Sequence, residues 1–441
     1  MKIQGLLIAA IVLVALSGTL YWSNHRKPAD AEAKASADTP PKILTLSQAD
    51  IVKLGIKKRG AEELALAKNS AGKWQITAPK PLAADQDSVS SILSTLSSLS
   101  SDRLIEEKAG NLDQYGLTQP SLEVDVTEKD NKTRKLLIGD DTPAGSAAFA
   151  AVSDDPRVFT VASYNKNSFD KNAKDLRDKR LLTFETDKVT RVELLAKKQT
   201  IEFGRNKDQW QILRPGPFRA EQFQVEDLVR TLHDAKMDLT GSDDEKKAAR
   251  AFSSSALVAA AKVTDVSGTQ ELQVRKSKDD YYAKSSAVAG VYKVLSSTGT
   301  GLDKNLDDFR NKKLFDFGYT DPDKIELHDG SKSYSFSKTG SDWSSNGIKM
   351  DADTVRTLVG NIRDLSASKF ADSGFTTPVM DITVTSDVGK RTEKVLLAKN
   401  GDRYVAKREN EHALYELNAT SIDELQKSAA GVKHAAPTAK K

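Results

Sequence analysis

Three stretches of the chain repeat one pattern of apolar and polar positions. Each begins at a tryptophan, Trp74, Trp210 or Trp343, and runs through a polar turn into a segment whose apolar residues recur every three or four positions. That spacing places apolar side chains on one face of an α-helix. The matching stripes are Val89, Ile92, Leu93, Leu96 and Leu99; Val225, Leu228, Val229, Leu232 and Ala235; and Val355, Leu358, Val359, Ile362 and Leu365. The pattern predicts one structural unit in three copies, with each tryptophan in its core.

Alternating apolar and polar residues flank each helix and predict β-strands. Two short strands precede Trp210, for example, in VTRVELL (189–195) and TIEFG (200–204), and four alternating runs follow each helix. We therefore predict an α+β fold in which an N-terminal transmembrane helix is followed by three tandem repeats. Each repeat is an antiparallel sheet, made of two strands, a helix and a four-stranded meander, with a short junction helix.

A charged phrase with an aromatic end marks the predicted junctions. DLRDKRLLTF (175–184) returns as DFRNKKLFDF (308–317), each time after the last strand of a copy. We interpret it as an amphipathic helix that docks one unit on the next. Arg177 and Arg310 are expected to anchor it to carboxylates or backbone carbonyls, since arginine makes several directed hydrogen bonds. The apolar junction residues, expected to bury against the first strands of the next unit, are Leu181, Phe184, Leu314 and Phe317.

The first copy also carries YGLTQP (115–120), LLIGDDTPAG (136–145) and VFTV (158–161), and the first two motifs are absent from the other copies. With DLRDKRLL, these motifs make the chain resemble the bacterial domain-of-unknown-function family forty-three forty. The resemblance covers the first copy and runs into the second. It implies a membrane-anchored envelope protein, frequently encoded beside ABC transporters of the gliding-motility type, with its body outside the cytoplasm and no established activity.

The N-terminal residues 3–24 form an uncharged, mostly apolar run. At about 1.5 Å per residue such a helix is roughly 33 Å long, enough to cross a bilayer core. Tyr21 and Trp22 stand where interfacial aromatic residues are found. We predict an uncleaved, single-pass anchor in the inner membrane; a signal peptide cleaved near Ala15 is the alternative. Basic residues flank the run on both sides, so charge alone does not set its orientation.

The predicted domain organisation combines these patterns with the Ala/Pro-rich composition that follows the anchor, which is typical of a flexible tether. Its parts are a transmembrane anchor at 1–24, a disordered tether at 25–45, repeat units at 46–182, 183–316 and 317–430, and a disordered tail at 431–441.

Composition excludes several classes of chemistry. The chain has 66 basic and 62 acidic residues in a dispersed pattern, which argues against nucleic-acid binding. It has no cysteine, so disulfides, thiolate nucleophiles and cysteine-based metal sites are excluded. Ser335 and Lys338 match Ser-x-x-Lys, but on a strand rather than at a helix start. The histidines lack metal-binding spacing; they are His25, His233, His328, His412 and His434. We expect no catalytic residue, no cofactor and no metal site.

Three functions remain open at this point. The leading hypothesis is a non-enzymatic, membrane-anchored scaffold or accessory protein of an envelope complex, with an ABC transporter as the expected kind of partner. The alternative is a carrier of lipid or another amphiphile in an apolar groove formed by the aligned sheets. The third is an enzyme with its site at a unit junction, which convergent ionisable side chains with perturbed titration would indicate.

Overall fold

The computed structural model describes residues 42–240 and 245–436, and these form three antiparallel sheets that follow the three predicted copies in order. The chain divides into two compact units. One ends at Lys179 and holds the first sheet, and the other begins at Arg180 and holds the second and third sheets.

The first sheet consists, within residues 42–179, of nine strands in the order β4-β3-β2-β1-β6-β7-β8-β9-β5. Two meanders meet at its centre, where β1 pairs antiparallel with β6. The strands are β1 (Ile51–Lys58), β2 (Leu64–Lys68), β3 (Trp74–Ala78), β4 (Leu82–Ala83), β5 (Arg103–Glu106), β6 (Leu122–Glu128), β7 (Thr133–Asp141), β8 (Ala147–Val152) and β9 (Val158–Ala162). The helices are α1 (Gln86–Ser97), α2 (Ser163–Phe169) and α3 (Ala173–Leu176).

The second sheet has the same plan, with eight strands among the described residues in the order β13-β12-β11-β10-β14-β15-β16-β17. The strands are β10 (Arg191–Ala196), β11 (Gln199–Asn206), β12 (Gln209–Arg214), β13 (Phe218–Arg219), β14 (Ala256–Asp265), β15 (Gly268–Ser277), β16 (Asp280–Ser285) and β17 (Val291–Val294). The helices are α4 (Gln222–His233), α5 (Glu245–Ser253), α6 (Ser296–Leu302) and α7 (Leu306–Phe309).

The third sheet has nine strands in the stretch up to residue 436, in the order β21-β20-β19-β18-β23-β24-β25-β26-β22. The strands are β18 (Lys324–Asp329), β19 (Lys332–Thr339), β20 (Asp342–Ser345), β21 (Ile348–Lys349), β22 (Lys369–Ala371), β23 (Pro378–Ser386), β24 (Arg391–Asn400), β25 (Arg403–Arg408) and β26 (Leu414–Asn418). The helices are α8 (Ala352–Asp364) and α9 (Ala419–Ala430).

One long helix and the repeat tryptophan form the centre of each core. Every residue of the three apolar stripes is buried, and Trp74, Trp210 and Trp343 are between 3% and 6% exposed. Asp85 starts α1 by accepting a hydrogen bond from the Ser88 amide at 2.9 Å, and Asp351 caps α8 in the same way. Such caps satisfy amides that a helix leaves unpaired at its first turn. The stripe therefore fixes where each helix lies, and in the first and third repeats the cap fixes where it begins.

The strand layout differs in detail from the prediction of two strands before each helix. Four strands precede each helix, because the tryptophan lies in a strand of its own and a two-residue strand follows it. A further short strand, β5 or β22, follows the helix and lies at the sheet edge in the first and third repeats. The missed strands have two to six residues, and runs this short show little or no alternating pattern.

The predicted transmembrane helix at 3–24 lies outside the described residues. Between residue 42 and residue 436, where the chain is described, no helix is both long and apolar enough to cross a membrane. The predicted ends of the tether and of the tail were wrong at residues that the structure describes. Ile43 and Leu44, placed in the disordered tether, are buried in the first core. His434, placed in the disordered tail, forms a β-bridge with Met350.

Candidate functional site at the repeat junctions

The repeated phrase is not the amphipathic helix that its apolar spacing predicted. Only its first residues are helical, in the four-residue helices α3 and α7, and the rest of each copy is extended. Asn172 and Asn305 begin these helices in full capping boxes, which Asp175 and Asp308 complete. The charged residues between the apolar positions are non-helical because each short helix ends at its arginine. The phrase therefore has two halves with separate roles.

The first half, which we call the exit segment (172–177 and 305–310), closes the sheet edge of its own repeat. Arg177 forms a backbone bridge with Ala84, and Arg310 forms the equivalent bridge with Ala220. In the third repeat, His434 bridges Met350 at the same position. A different segment of chain thus closes the last sheet in the same way.

The second half, which we call the lead-in segment (180–184 and 313–317), belongs to the following repeat. The Leu181 amide donates to the Ala235 carbonyl just beyond α4, and the Leu314 amide donates to the Leu365 carbonyl just beyond α8, both at 2.9 Å. Ile43 bonds to Leu99 beyond α1 in the same way, at 3.1 Å. A third lead-in segment, KILTL (42–46), therefore opens the first repeat, and sequence reasoning missed it.

The predicted apolar junction residues lie inside the cores. Leu181 and Phe184 are buried with the first strand of the second sheet, and Leu314 and Phe317 are buried with the first strand of the third sheet. Fully buried side chains of this size contribute to the stability of the unit that contains them. These residues are therefore part of the core of the second or third repeat. They do not merely form a surface on which one folded repeat packs against the next.

Arg310 connects the second and third repeats through stacking. Its guanidinium carbon lies 4.3 Å from the ring centre of Phe218, at the edge of the second sheet, and 3.4 Å from that of Phe370, at the edge of the third. Its Nη1 also donates to Asp307 at 3.2 Å. The side chain is only 11% exposed, so the cation is held between two rings away from water. Cation–π contacts strengthen when desolvated.

A network of charged side chains surrounds this stacked group. Arg219, on β13 of the second repeat, forms an ion pair with Asp316 in the lead-in segment of the third repeat (313–317), and another with Glu411 at 2.8 Å. Its Nη2 donates to the Tyr415 hydroxyl at 3.2 Å. Tyr415 in turn donates to Glu411 at 2.7 Å. One arginine of the second repeat thus contacts three polar side chains of the third.

Two further arginines complete the network within the third repeat. Arg408 lies 2.7 Å from Glu411 and 3.0 Å from Glu393, and it donates to the Leu314 carbonyl at 2.6 Å. Arg391 pairs with Glu393 at 3.1 Å, and Glu393 accepts from the Asp316 amide at 3.0 Å. The three arginines and three carboxylates balance in formal charge. A compensated network of this kind holds segments in place.

Burial perturbs the titration of the groups at its centre. The Tyr415 side chain is withdrawn from water, which raises the pKa of its hydroxyl to about 12, against the opposing charge of Arg219. Burial acts to lower the pKa of Arg219, but Tyr415, Asp316 and Glu411 outweigh it, so that pKa is raised. Both shifts keep the proton on its group at neutral pH. The arrangement therefore favours a fixed hydrogen-bonded state over proton transfer.

Two of the motifs that carried the family resemblance, YGLTQP and LLIGDDTPAG, pack against each other on the first sheet. A Cβ atom built on Gly139 of LLIGDD would lie 2.1 Å from the Tyr115 carbonyl oxygen of YGLTQP, and one on Gly116 would lie 2.5 Å from Asp140. Gly116 also has a φ of 65°, in the region that favours glycine. Leu117 is buried in a small second core beneath this contact. Gly139 is therefore required for close approach of the backbone, and Gly116 for its positive φ.

The third repeat retains a divergent form of the first motif, contrary to the sequence-based expectation. GFTTP (374–378) occupies the position before β23 that GLTQP (116–120) occupies before β6, and Gly374 has a φ of 99°. In residues 42–240 and 245–436, no group of three or more His, Asp or Glu side chains is arranged to hold a metal ion.

Comparison with known proteins agrees with the repeat. The model of one family, described as Domain of unknown function (DUF4340), matches residues 74–250 and 210–379. Each match begins at a repeat tryptophan, and the second overlaps the first. No curated protein and no solved structure matches the chain.

Proposed function

The chain belongs to the DUF4340 family, and from its repeat junction we propose that it is a non-enzymatic scaffold or accessory protein of an envelope membrane complex. The observation that carries this proposal is the Arg219 network together with the stacked Arg310. Both hold the second and third repeats through buried, directed contacts. A fixed relation between two repeats is what a scaffold needs in order to present separate binding surfaces at a constant spacing.

The chemistry of the junction also supports a role without catalysis. Each carboxylate of the network is paired with at least one arginine, and its tyrosine keeps its proton well above neutral pH. A general base must be free to take up a proton near the working pH. The network is therefore suited to holding the chain in position and poorly suited to acid–base chemistry.

We further propose that residues 3–24 anchor the protein in the inner membrane, with its repeats outside the cytoplasm. The uncharged N-terminal run supports the anchor, and the family resemblance supports the orientation. The partner would be a protein of a membrane complex, with an ABC transporter as the expected class. The lipid-carrier alternative has no comparable support from the junction, whose centre is charged.

The absence of cysteine from the sequence allows a direct test of topology. Tyr319 is 93% exposed, so Tyr319→Cys gives a single accessible thiol in the third repeat. A membrane-impermeant maleimide should label it in intact spheroplasts as fully as after permeabilisation. Labelling only after permeabilisation would place the repeats in the cytoplasm and would contradict the proposed orientation.

A second experiment tests the scaffold role. Single cysteines at Phe223 in the second repeat and at Tyr319 in the third, both well exposed, would carry a short photo-crosslinker in native membranes. Both positions should crosslink to subunits of one complex. Adding Arg310→Met should reduce crosslinking from one position relative to the other, while Arg356→Met, at an exposed arginine of α8, should leave the ratio unchanged. Equal effects of the two substitutions would contradict the scaffold role.

A further inference from the structure

The first repeat contains an open cavity of about 460 Å³. It lies between the C-terminal end of α1 and the first turn of α2, which follows the last strand of the meander. Its lining includes Ser94, Thr95, Ser98, Asp102, Tyr164 and Asn165. This volume falls within the roughly 300–1,000 Å³ of ordinary small-molecule sites.

In the other two repeats, the helix after the meander also lies close to the helix that carries the apolar stripe. In the second repeat Thr231 of α4 holds the position that Thr95 has on α1, and a Cβ on Gly301 of α6 would lie 3.0 Å from the Thr231 methyl carbon. In the third repeat the same position is Asn361, whose amide donates to the Glu424 carbonyl of the longer helix α9 at 3.5 Å. The helix after the meander thus approaches the stripe helix near this position in both repeats.

The lining has a definite chemical character. Hydroxyl groups and an amide dominate it, and Asp102 is the one charged side chain among the lining residues. The nearest lysine in sequence, Lys166, is bonded to Asp141 at 2.7 Å. The C-terminal end of α1 adds a partial negative charge. An anion is therefore disfavoured, whereas a ligand that donates and accepts several hydrogen bonds is favoured.

An aromatic platform stands at the rim. Tyr164 is 73% exposed, although large aromatic side chains ordinarily bury most of their surface. Its ring offers an apolar face beside the hydroxyls, the amide of Asn165 and the carboxylate of Asp102. A sugar ring is complementary to this surface, because its C–H groups can pack against an aromatic ring while its hydroxyls bond to polar side chains.

We propose that this cavity binds an uncharged saccharide. The sugar ring lies against Tyr164, and its hydroxyls bond to Asp102, to Asn165 and to the serine and threonine side chains at the end of α1. This site is independent of the junction network and adds a ligand to the scaffold role.

The test uses the full chain in detergent, with maltose, cellobiose and chitobiose as uncharged probes and glucuronic acid and choline as charged ones. Saturation-transfer NMR and calorimetry should show binding of at least one uncharged disaccharide, and weaker binding of both charged probes. Tyr164→Ala should weaken it by about two- to twelvefold, since stacking on an aromatic ring contributes about 0.5–1.5 kcal/mol. Tyr164→Phe should retain most of the affinity.

Tyr319→Ala is the matched control, because Tyr319 is also exposed but lies in the third repeat. It should leave saccharide binding unchanged. Failure of all three disaccharides to bind, tighter binding of glucuronic acid or choline, or an equal effect of the two alanine substitutions would each overturn the proposal.

Discussion

Replacing Arg310 tests whether stacking fixes the second repeat to the third. Arg310→Met keeps most of the aliphatic stem and removes the cation from between Phe218 and Phe370. Each cation–π contact contributes about 0.5–2 kcal/mol, with the larger value for desolvated groups. The exposed pair with Asp307 adds only about 0.3–0.5 kcal/mol. We therefore expect Arg310→Met to lower the free energy of opening at this contact by about 1–4 kcal/mol, mainly because the contacts with the two rings are lost.

A double-mutant cycle with Phe370→Leu separates the stacking contribution from other effects of the substitution. The full chain holds two compact units, so one global free energy of unfolding is not well defined. Native-state hydrogen exchange, measured on peptides from β13 and β22, reports the opening of the two sheet edges separately. The coupling free energy between Arg310 and Phe370 should be about 0.5–2 kcal/mol.

Arg356→Met provides the matched control, because Arg356 is 70% exposed and pairs only with Asp353 at 2.5 Å. It should change exchange at β13 and β22 by less than about 0.5 kcal/mol. A coupling free energy below about 0.3 kcal/mol between Arg310 and Phe370, which is within the additivity of independent sites, would refute the stacking argument.

The other predictions concern the two packed motifs and the buried tyrosine. Gly139→Ala should destabilise the first repeat by about 1–3 kcal/mol, because its Cβ meets the Tyr115 carbonyl, whereas Gly110→Ala, with nothing within 4 Å, should change little; equal melting temperatures for the two variants would contradict this. For Tyr415, the folded-state pKa of about 12 lies above the ordinary 10.0. The raised pKa should therefore contribute about 2–3 kcal/mol to the free energy of unfolding below pH 10, and this contribution should be lost as pH rises from 10 to 12. Tyr415→Phe should abolish that part of the pH dependence, as followed by urea unfolding.

The sequence predicted what depends on local periodicity. The helix stripes could be found because a period of 3.6 residues is visible within twelve positions, and the buried tryptophans followed from their constant place before each stripe. The strand at Trp74 was missed because its alternation is interrupted after five residues by a turn. The two-residue strand at Phe218 has no period at all.

The junction was only partly predictable, because its partners are distant in sequence. The phrase itself was visible as a duplication, but its apolar spacing predicted one continuous helix where a four-residue helix and a non-helical segment belong to different repeats. Arg219 contacts Glu411 and Tyr415, which lie almost two hundred residues later in the sequence. No local sequence pattern predicts such a contact. The lead-in segment at Ile43 was missed because the charged run that precedes the other two copies is absent before Lys42.

The division of the phrase between two repeats has a consequence for how such chains evolve. The exit half ends at Arg310 and the lead-in half starts at Lys313, so the boundary between repeats falls within a few residues of non-helical chain. A deletion that removes residues 180–312 would join Lys179 to Lys313 and restore an exit segment followed by a lead-in segment. Recombination at these positions can therefore add or remove a whole unit in frame without new linking sequence, so relatives with different numbers of units are reachable by single genetic events.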